Sequence, residues 1–168
     1  MKRSRKLNWL LKCSYPGLML VLVLVLFAPV SHASQAKEPG ALTLPPPKTE
    51  EQASALSVNP NNKILFESQI YNFEIFSSKA KISVVTTAYK LVDRLGADVH
   101  LQKWSGVDWV TVQSSNLASR NSRGYYGVTE WDAVAGYYYR VTSVHFAQQG
   151  TVREEYRTTS ASMLYPKQ

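Results

Sequence analysis

Residues 137–160 read YYYRVTSVHFAQQGTVREEYRTTS. Two segments rich in aromatic and β-branched residues, Tyr137–Phe146 and Thr151–Ser160, flank the turn-forming sequence Ala147-Gln148-Gln149-Gly150. Such residues favour strands, and a short glycine-containing segment between two runs of them is typical of a hairpin. The stretch therefore predicts an antiparallel β-hairpin.

The sequence before this hairpin carries the same signals. Glycines recur every ten to eighteen residues, at Gly96, Gly106, Gly124, Gly136 and Gly150, and no proline lies between Pro60 and Pro166. Candidate strands lie at residues 71–75, 82–92, 98–102, 109–112 and 125–131, with turns at 93–96 and 105–108. Seven or eight such strands need two sheets around one core, so we expect an all-β fold, a single antiparallel β-sandwich over residues 63–165.

One segment allows a helix instead. Tyr89, Leu91, Val92 and Leu95 fall on one side of a helix drawn over Thr87–Gly96. The β-branched residues just before this segment favour a strand that runs into a turn at Asp93–Gly96.

The N-terminus has the organisation of a secretory signal peptide. Five cations precede an uncharged apolar run of thirteen residues, Leu18–Val30, which ends at the small residues Ser31-His32-Ala33. The run is shorter than the roughly 17–25 residues that a membrane-spanning helix needs. We expect a signal peptide at residues 1–33, cleaved after Ala33 or Ala36, and a protein that is secreted or associated with the cell envelope. Retention as an anchor is the alternative.

Residues 34–62 are rich in Pro, Glu, Lys, Ala and Ser, with three consecutive prolines at Pro45-Pro46-Pro47. A segment with so few large apolar residues cannot bury enough surface to order itself. We expect a disordered Pro-rich linker there.

Removal of the signal peptide changes the charge and the cysteine content. It takes five of the nineteen Lys and Arg and leaves fourteen against twelve Asp and Glu, a net charge of +2. A nearly neutral domain does not predict nucleic-acid binding. Cys13, the one cysteine, is removed as well, so disulfide-stapled scaffolds are disfavoured. We expect no cofactor and no integral membrane segment after cleavage.

The segment Gly136–Val141, after Trp131-Asp132, resembles the approach to the sixth strand of immunoglobulin-like and fibronectin-III-like domains. The resemblance implies that Tyr139 is the corner tyrosine of such domains, and that Val141 takes the place that carries a cysteine in antibody domains. Leu101 and Trp109 resemble the third strand and its return in bacterial surface sandwich domains.

Over about Ile64 to Leu164 the chain is similar to an uncharacterised family of small secreted proteins of Gram-positive bacteria. The matching pieces are Thr87-Ala88, Val92-Asp93, Leu101-Gln102, Trp109, Gly136–Val141, His145 and Glu155. The resemblance implies secretion and an immunoglobulin/fibronectin-III-like sandwich, and it implies no catalytic residue.

Aromatic residues supply the candidate binding surface. Strand alternation places Tyr138 outward beside Arg140 if Tyr139 points into the core, and Tyr125 and Tyr126 cannot both be buried on one strand. Exposed rings with a polar handle suit sugar stacking or protein contact. The candidate binding residues are Tyr125, Tyr138, Arg140 and Trp131, and the alternative is that the tyrosines only decorate a β-surface.

Catalytic and metal-binding constellations are sparse. With a turn at Gln148-Gln149, His145 lies near Val152 and diagonal to Glu154. His145 and Glu154 are therefore weak candidates for a metal site, and His145 with Glu154 or Glu155 is a weak candidate for the active site of a small hydrolase. A histidine that only fixes the hairpin is the simpler interpretation. Glu130 and Asp132 could share a strand face as a pair of catalytic carboxylates, but they sit beside a glycine-marked turn, where solvated acids are ordinary.

These observations predict a secreted, non-enzymatic β-sandwich that binds a cell-wall polymer or an extracellular protein. The first alternative is a carbohydrate-binding module that uses exposed aromatics, and the second is a small secreted hydrolase.

Overall fold

The computed structural model describes residues 36–47 and 63–168, and the predicted signal peptide at residues 1–33 lies outside them. The described chain is all-β and contains no helix. Its six strands are β1 (Leu65–Phe76), β2 (Lys79–Trp104), β3 (Trp109–Asp132), β4 (Tyr137–Gln149), β5 (Val152–Thr159) and β6 (Met163–Tyr165). In this part of the chain, no segment has the helical length and apolar character needed to span a membrane.

All six strands belong to one antiparallel sheet. Its order is β1-β2-β4-β5, β3 pairs with β2, and β6 pairs with β4. Two long strands, β2 and β3, run beside each other for most of their length, and their pairing shifts register between Thr87 and Val92. Before this shift β2 also pairs with β1, and after it β2 also pairs with β4.

This change of neighbour divides the sheet into two halves. The first half contains β1, residues 79–88 of β2 and residues 124–132 of β3; the second contains residues 92–104 of β2, residues 109–122 of β3, and β4, β5 and β6. The sheet curls into a half-barrel, so that Ile82 and Val84 of the first half and Val99 and Leu101 of the second belong to one core cluster. Burial of their apolar surface holds the curl closed.

The described residues form six strands, where seven or eight were expected. The predicted strands at 82–92 and 98–102 are parts of β2, and those at 109–112 and 125–131 are parts of β3. β6 is too short to have been recognised from its sequence pattern.

Gly96 explains why β2 is continuous where a turn or a helix was considered. It lies in mid-strand, paired with Ala118 on one side and Phe146 on the other. A Cβ at this position would lie 2.1 Å from the Leu117 carbonyl oxygen, so this glycine permits a close approach of two strands and makes no turn.

The β4–β5 hairpin forms, with its turn two residues later than predicted. Gln149 pairs with Val152, so the loop is Gly150-Thr151 and not Gln148-Gln149. His145 consequently lies opposite Tyr156 and not Val152. Gly150 has a φ of 58°, the left-handed conformation that glycine tolerates best.

Residues 36–47, which fall in the predicted disordered linker, contact the sheet; we call them the strap. The Leu42 N–H donates to the Gly136 carbonyl at 2.6 Å, and the Trp104 indole N–H donates to the Leu44 carbonyl at 3.0 Å. Ala41 is buried in a cluster with Trp104 and Tyr138.

Candidate functional site

A polar groove of about 460 Å³ lies on the outer face of the second half of the sheet. Asp98 and His100 line it because they alternate in β2 with the buried Val99 and Leu101, which face the core. The other lining residues come from the neighbouring strands: Ser114, Ser115 and Asn116 of β3, Val144 of β4 and Glu155 of β5. We call this set the polar groove.

Two arginines fix the acidic and amide side chains of the groove. Arg153 forms an ion pair with each of the two carboxylates, at 3.4 Å to Asp98 and 2.5 Å to Glu155. Asn116 donates its amide N–H to Asp98 and accepts a hydrogen bond from Arg94 at 2.6 Å. The network crosses four strands, so these groups are held in place before any ligand arrives.

The arginines themselves are supported by an aromatic ring. Phe146 is fully buried although it points to the outer face, because Arg153 and Arg94 cover its ring at 4.0 and 5.2 Å from the centroid. A guanidinium over an aromatic face is held by cation–π attraction. The Phe146 ring therefore helps to hold both guanidinium groups in position.

His100 and Ser114 form a second pair in the groove. The His100 Nδ1 and the Ser114 hydroxyl are 2.8 Å apart, in cross-strand register. Within the described chain neither a carboxylate nor any other partner contacts the His100 Nε2, so that nitrogen is available to a ligand.

Tyr138 does not form the exposed surface that alternation predicted. It does point away from the main core, but the strap and Leu164 cover it and leave 4% of it exposed. Burial, together with the nearby Glu38 carboxylate, raises the pKa of Tyr138 to about 12.

The other candidate binding residues are mostly packed. Trp131 is half-buried against the core cluster of Ile82 and Val99, and Tyr125 against a second cluster that contains Leu65 and Leu95. Burial raises the pKa of Tyr125. Arg140 lies 4.5 Å from the Trp109 ring centroid and donates to Gln102 at 2.8 Å. These three residues belong to the packing of the sheet.

The residues singled out as structural lie in or beside the core. Val141 and Leu101 are paired across β4 and β2 and are fully buried, and Trp109 packs on Trp104. The Tyr139 hydroxyl accepts from the Val134 N–H at 2.9 Å and donates to the Val134 carbonyl at 3.2 Å. A tyrosine with this hydrogen bond closes the corner between β3 and β4.

His145 and Glu154, the weak candidates for a metal site, do not pair with each other. His145 is fully buried, with Nδ1 at 2.7 Å from the Thr86 hydroxyl and Nε2 at 3.0 Å from the Thr158 hydroxyl. Glu154 instead accepts the backbone N–H groups of residues 63–65 at 2.8–2.9 Å. Both side chains are therefore occupied by structural hydrogen bonds.

The electrostatics of these two residues follow from those contacts. Burial lowers the pKa of His145 to about 4. For Glu154, desolvation acts to raise the pKa, but the backbone donors and Lys63 outweigh it and lower the pKa. Across residues 36–47 and 63–168, no three His, Cys, Asp or Glu side chains lie close enough together to hold a metal ion.

Exposed aromatics do occur, at positions other than those predicted. Tyr71 of β1 and Tyr126 of β3 are 65% and 58% exposed on the outer face of the first half of the sheet. Their ring centroids are 6.2 Å apart at an interplanar angle of 79°. With Val128 they form an apolar patch that we call the tyrosine patch.

Sequence reasoning missed most of the polar groove. The alternation of Asp98 and His100 with apolar residues was a usable signal, since it placed both side chains on one outward face. It could not show that Ser114, Asn116 and Glu155 lie beside them, because that depends on the register of β3 and β5.

No family model matches the chain, and no curated protein matches it. Among solved structures, the chain is similar to Spo0M, a sporulation control protein from Bacillus subtilis, at 9% sequence identity and a TM-score of 0.34. The match covers 55% of this chain and 46% of the Spo0M chain, so this chain spans less than half the length of that protein. At this level the similarity carries no argument about fold or function.

Proposed function

We propose that this chain is a non-enzymatic binding module that is exported to the cell envelope or the extracellular space and binds its partner in the polar groove. The observation that carries the proposal is the network around Arg153, which holds Asp98 and Glu155 in fixed positions on an open surface. A volume of about 460 Å³ falls within the roughly 300–1,000 Å³ of typical ligand sites.

The polar groups in the groove favour binding over hydrolysis. His100 contacts Ser114, but a serine nucleophile with a histidine base also needs an acid to orient the histidine, and in the described chain no carboxylate contacts its free nitrogen. A pair of glycosidase carboxylates needs one member protonated as the acid. Here both carboxylates are instead paired with the same arginine, Arg153.

We also propose that the half-barrel is related to immunoglobulin-like sandwiches of seven or eight strands. We propose the same relation to the uncharacterised family of small secreted proteins of Gram-positive bacteria. The corner hydrogen bond of Tyr139 to Val134 supports this relation. So do the two core clusters to which both halves of the sheet contribute.

The second candidate function is carbohydrate binding through exposed aromatics. The tyrosine patch supports it, since two rings more than half exposed on one sheet face offer surfaces on which sugar rings stack. This surface is separate from the groove in the sheet, so the two candidates can be tested independently.

The test is co-sedimentation of the purified chain with insoluble cell walls. We expect retention of the wild type and at least a tenfold loss for His100→Ala and Ser114→Ala, with no loss for the exposed control Lys81→Ala. Loss for Tyr71→Ala combined with Tyr126→Ala would favour the second candidate instead. Unchanged retention of both groove variants, with wild-type melting temperatures, would refute the proposed function.

A further inference from the structure

The charges in the polar groove cancel locally. Asp98 and Glu155 are the acids of its lining, and both are already paired with Arg153, while Arg94 is held on the Asn116 carbonyl. An anionic ligand would have to approach two carboxylates, and a cationic one would have to compete with an arginine that binds both. Neither kind of charge gains enough to offset its own desolvation.

The hydrogen-bonding groups, in contrast, offer both donors and acceptors. The His100–Ser114 pair can reverse direction: if Ser114 donates to Nδ1, the free Nε2 carries a proton and donates; if Nδ1 donates to Ser114, Nε2 accepts. The second carboxylate oxygen of Glu155 is an additional acceptor. A ligand group that matches this surface must itself donate and accept, as a hydroxyl does.

Val144 gives the groove an apolar surface. It is half-buried between the polar residues of β2 and β5, on the face that lines the groove. A sugar ring has the same division, with hydroxyls around its edge and aliphatic C–H groups on its faces. The volume of about 460 Å³ suits a ligand of drug-like size, comparable to one or two sugar units.

From these three features we infer that the polar groove is a site for a neutral, polyhydroxylated ligand, namely one or two uncharged sugar units of a glycan. This inference rests on the proposed function and adds the ligand class to it. Sugar recognition would then fall to the polar side chains of the groove and not to exposed aromatics.

The experiment separates the oligosaccharides released from the same cell walls into neutral, anionic and cationic fractions, and uses each to compete with the walls for the chain. We expect the neutral fraction to release the chain, and the half-maximal concentration to stay within twofold between 50 and 500 mM NaCl. Direct titration of that fraction should give at least tenfold weaker binding for His100→Ala and for Asp98→Asn than for Lys81→Ala.

The other outcomes distinguish failure of this inference from failure of the proposed function. Release by a charged fraction, or loss of binding at high salt, would overturn the inference and leave a groove for charged ligands. Release by no fraction, with retention still sensitive to His100→Ala, would also overturn it and indicate a protein partner in the groove. Retention that groove variants do not change would refute the proposed function itself.

Discussion

His145 is a buried base whose two ring nitrogens are both hydrogen-bonded. The Thr86 hydroxyl donates its hydrogen to the Gly96 carbonyl at 3.2 Å, so it must accept from the His145 Nδ1. This assigns the proton to Nδ1 and leaves Nε2 to accept from Thr158. The neutral ring thus connects the two halves of the sheet, since Thr86 lies in the first half and Thr158 in the second.

Stability should fall in acid because of this residue. Burial lowers the pKa of His145 from 6.5 to about 4. Between these pH values the unfolded chain binds a proton that the folded chain does not, so this contribution to stability is complete above pH 6.5 and is lost as the pH falls. The loss by pH 4 should be about 3 kcal/mol.

Urea denaturation from pH 7 to pH 4 checks this prediction. The variant His145→Gln keeps an amide at the site and does not titrate, so its free energy of unfolding should decrease less steeply with falling pH. Equal pH dependence in the two proteins would show that His145 does not have this role.

Tyr138 and Tyr139 show how far a sequence resolves single residues. Alternation predicts that the two side chains lie on opposite faces of β4, and they do. Whether the outer face is open depends on the strap, which precedes Tyr138 by more than ninety residues. A period-two pattern contains no information about such a distant contact, so Tyr138 was predicted to be exposed and is buried.

At the scale of elements, glycine spacing predicts the turns correctly, but it does not distinguish a glycine in a turn from a glycine within a strand. The glycines at 106, 136 and 150 have positive φ angles in turns, as their spacing predicted. Gly96 and Gly124 lie within β2 and β3. The same residue type serves tight turns and close strand contacts, and only the neighbouring strand distinguishes these roles.

Substitution of these two strand glycines should therefore have opposite outcomes. Gly96→Ala forces a Cβ against the Leu117 carbonyl, a backbone atom that can move only if β2 and β3 separate. We expect a loss of about 3 kcal/mol or failure to fold. At Gly124 a Cβ meets nothing within 4 Å, so Gly124→Ala should be neutral or stabilise by roughly 0.5–1 kcal/mol.

Thermal unfolding of both variants measures the difference. A Gly96→Ala protein that melts within a few degrees of the wild type would mean that the strands are not as close as described.

At the scale of the molecule, the strap at the start of the described chain is hydrogen-bonded to the C-terminal end. The Lys167 N–H donates to the Gly40 carbonyl at 2.9 Å, and the strap covers Trp104 and Tyr138. Composition alone predicted disorder for these residues because few of them are large and apolar. The apolar surface that orders them belongs to the sheet, so the segment's own composition could not reveal it.

Displacement of the strap should expose tryptophan. Ala41 of the strap is 6% exposed where it packs on Trp104 and Tyr138, and a carboxylate there would be buried without a partner, so Ala41→Asp should release the strap. We expect acrylamide to quench the tryptophan fluorescence more strongly than in the wild type. The control Leu44→Asp, at a position 55% exposed, should leave the quenching unchanged. Equal quenching in all three proteins would mean that the strap does not protect Trp104.

The two long strands have a further consequence. β2 and β3 each pass through both halves of the sheet, so the two halves share these strands. Opening of one half therefore removes hydrogen-bond partners from the strands that the other half also needs. The hydrogen bonds of His145 to Thr86 and Thr158 link the two halves in the same way. Hydrogen exchange should accordingly show a single cooperative unit, with the slowest amides of both halves opening at one common free energy.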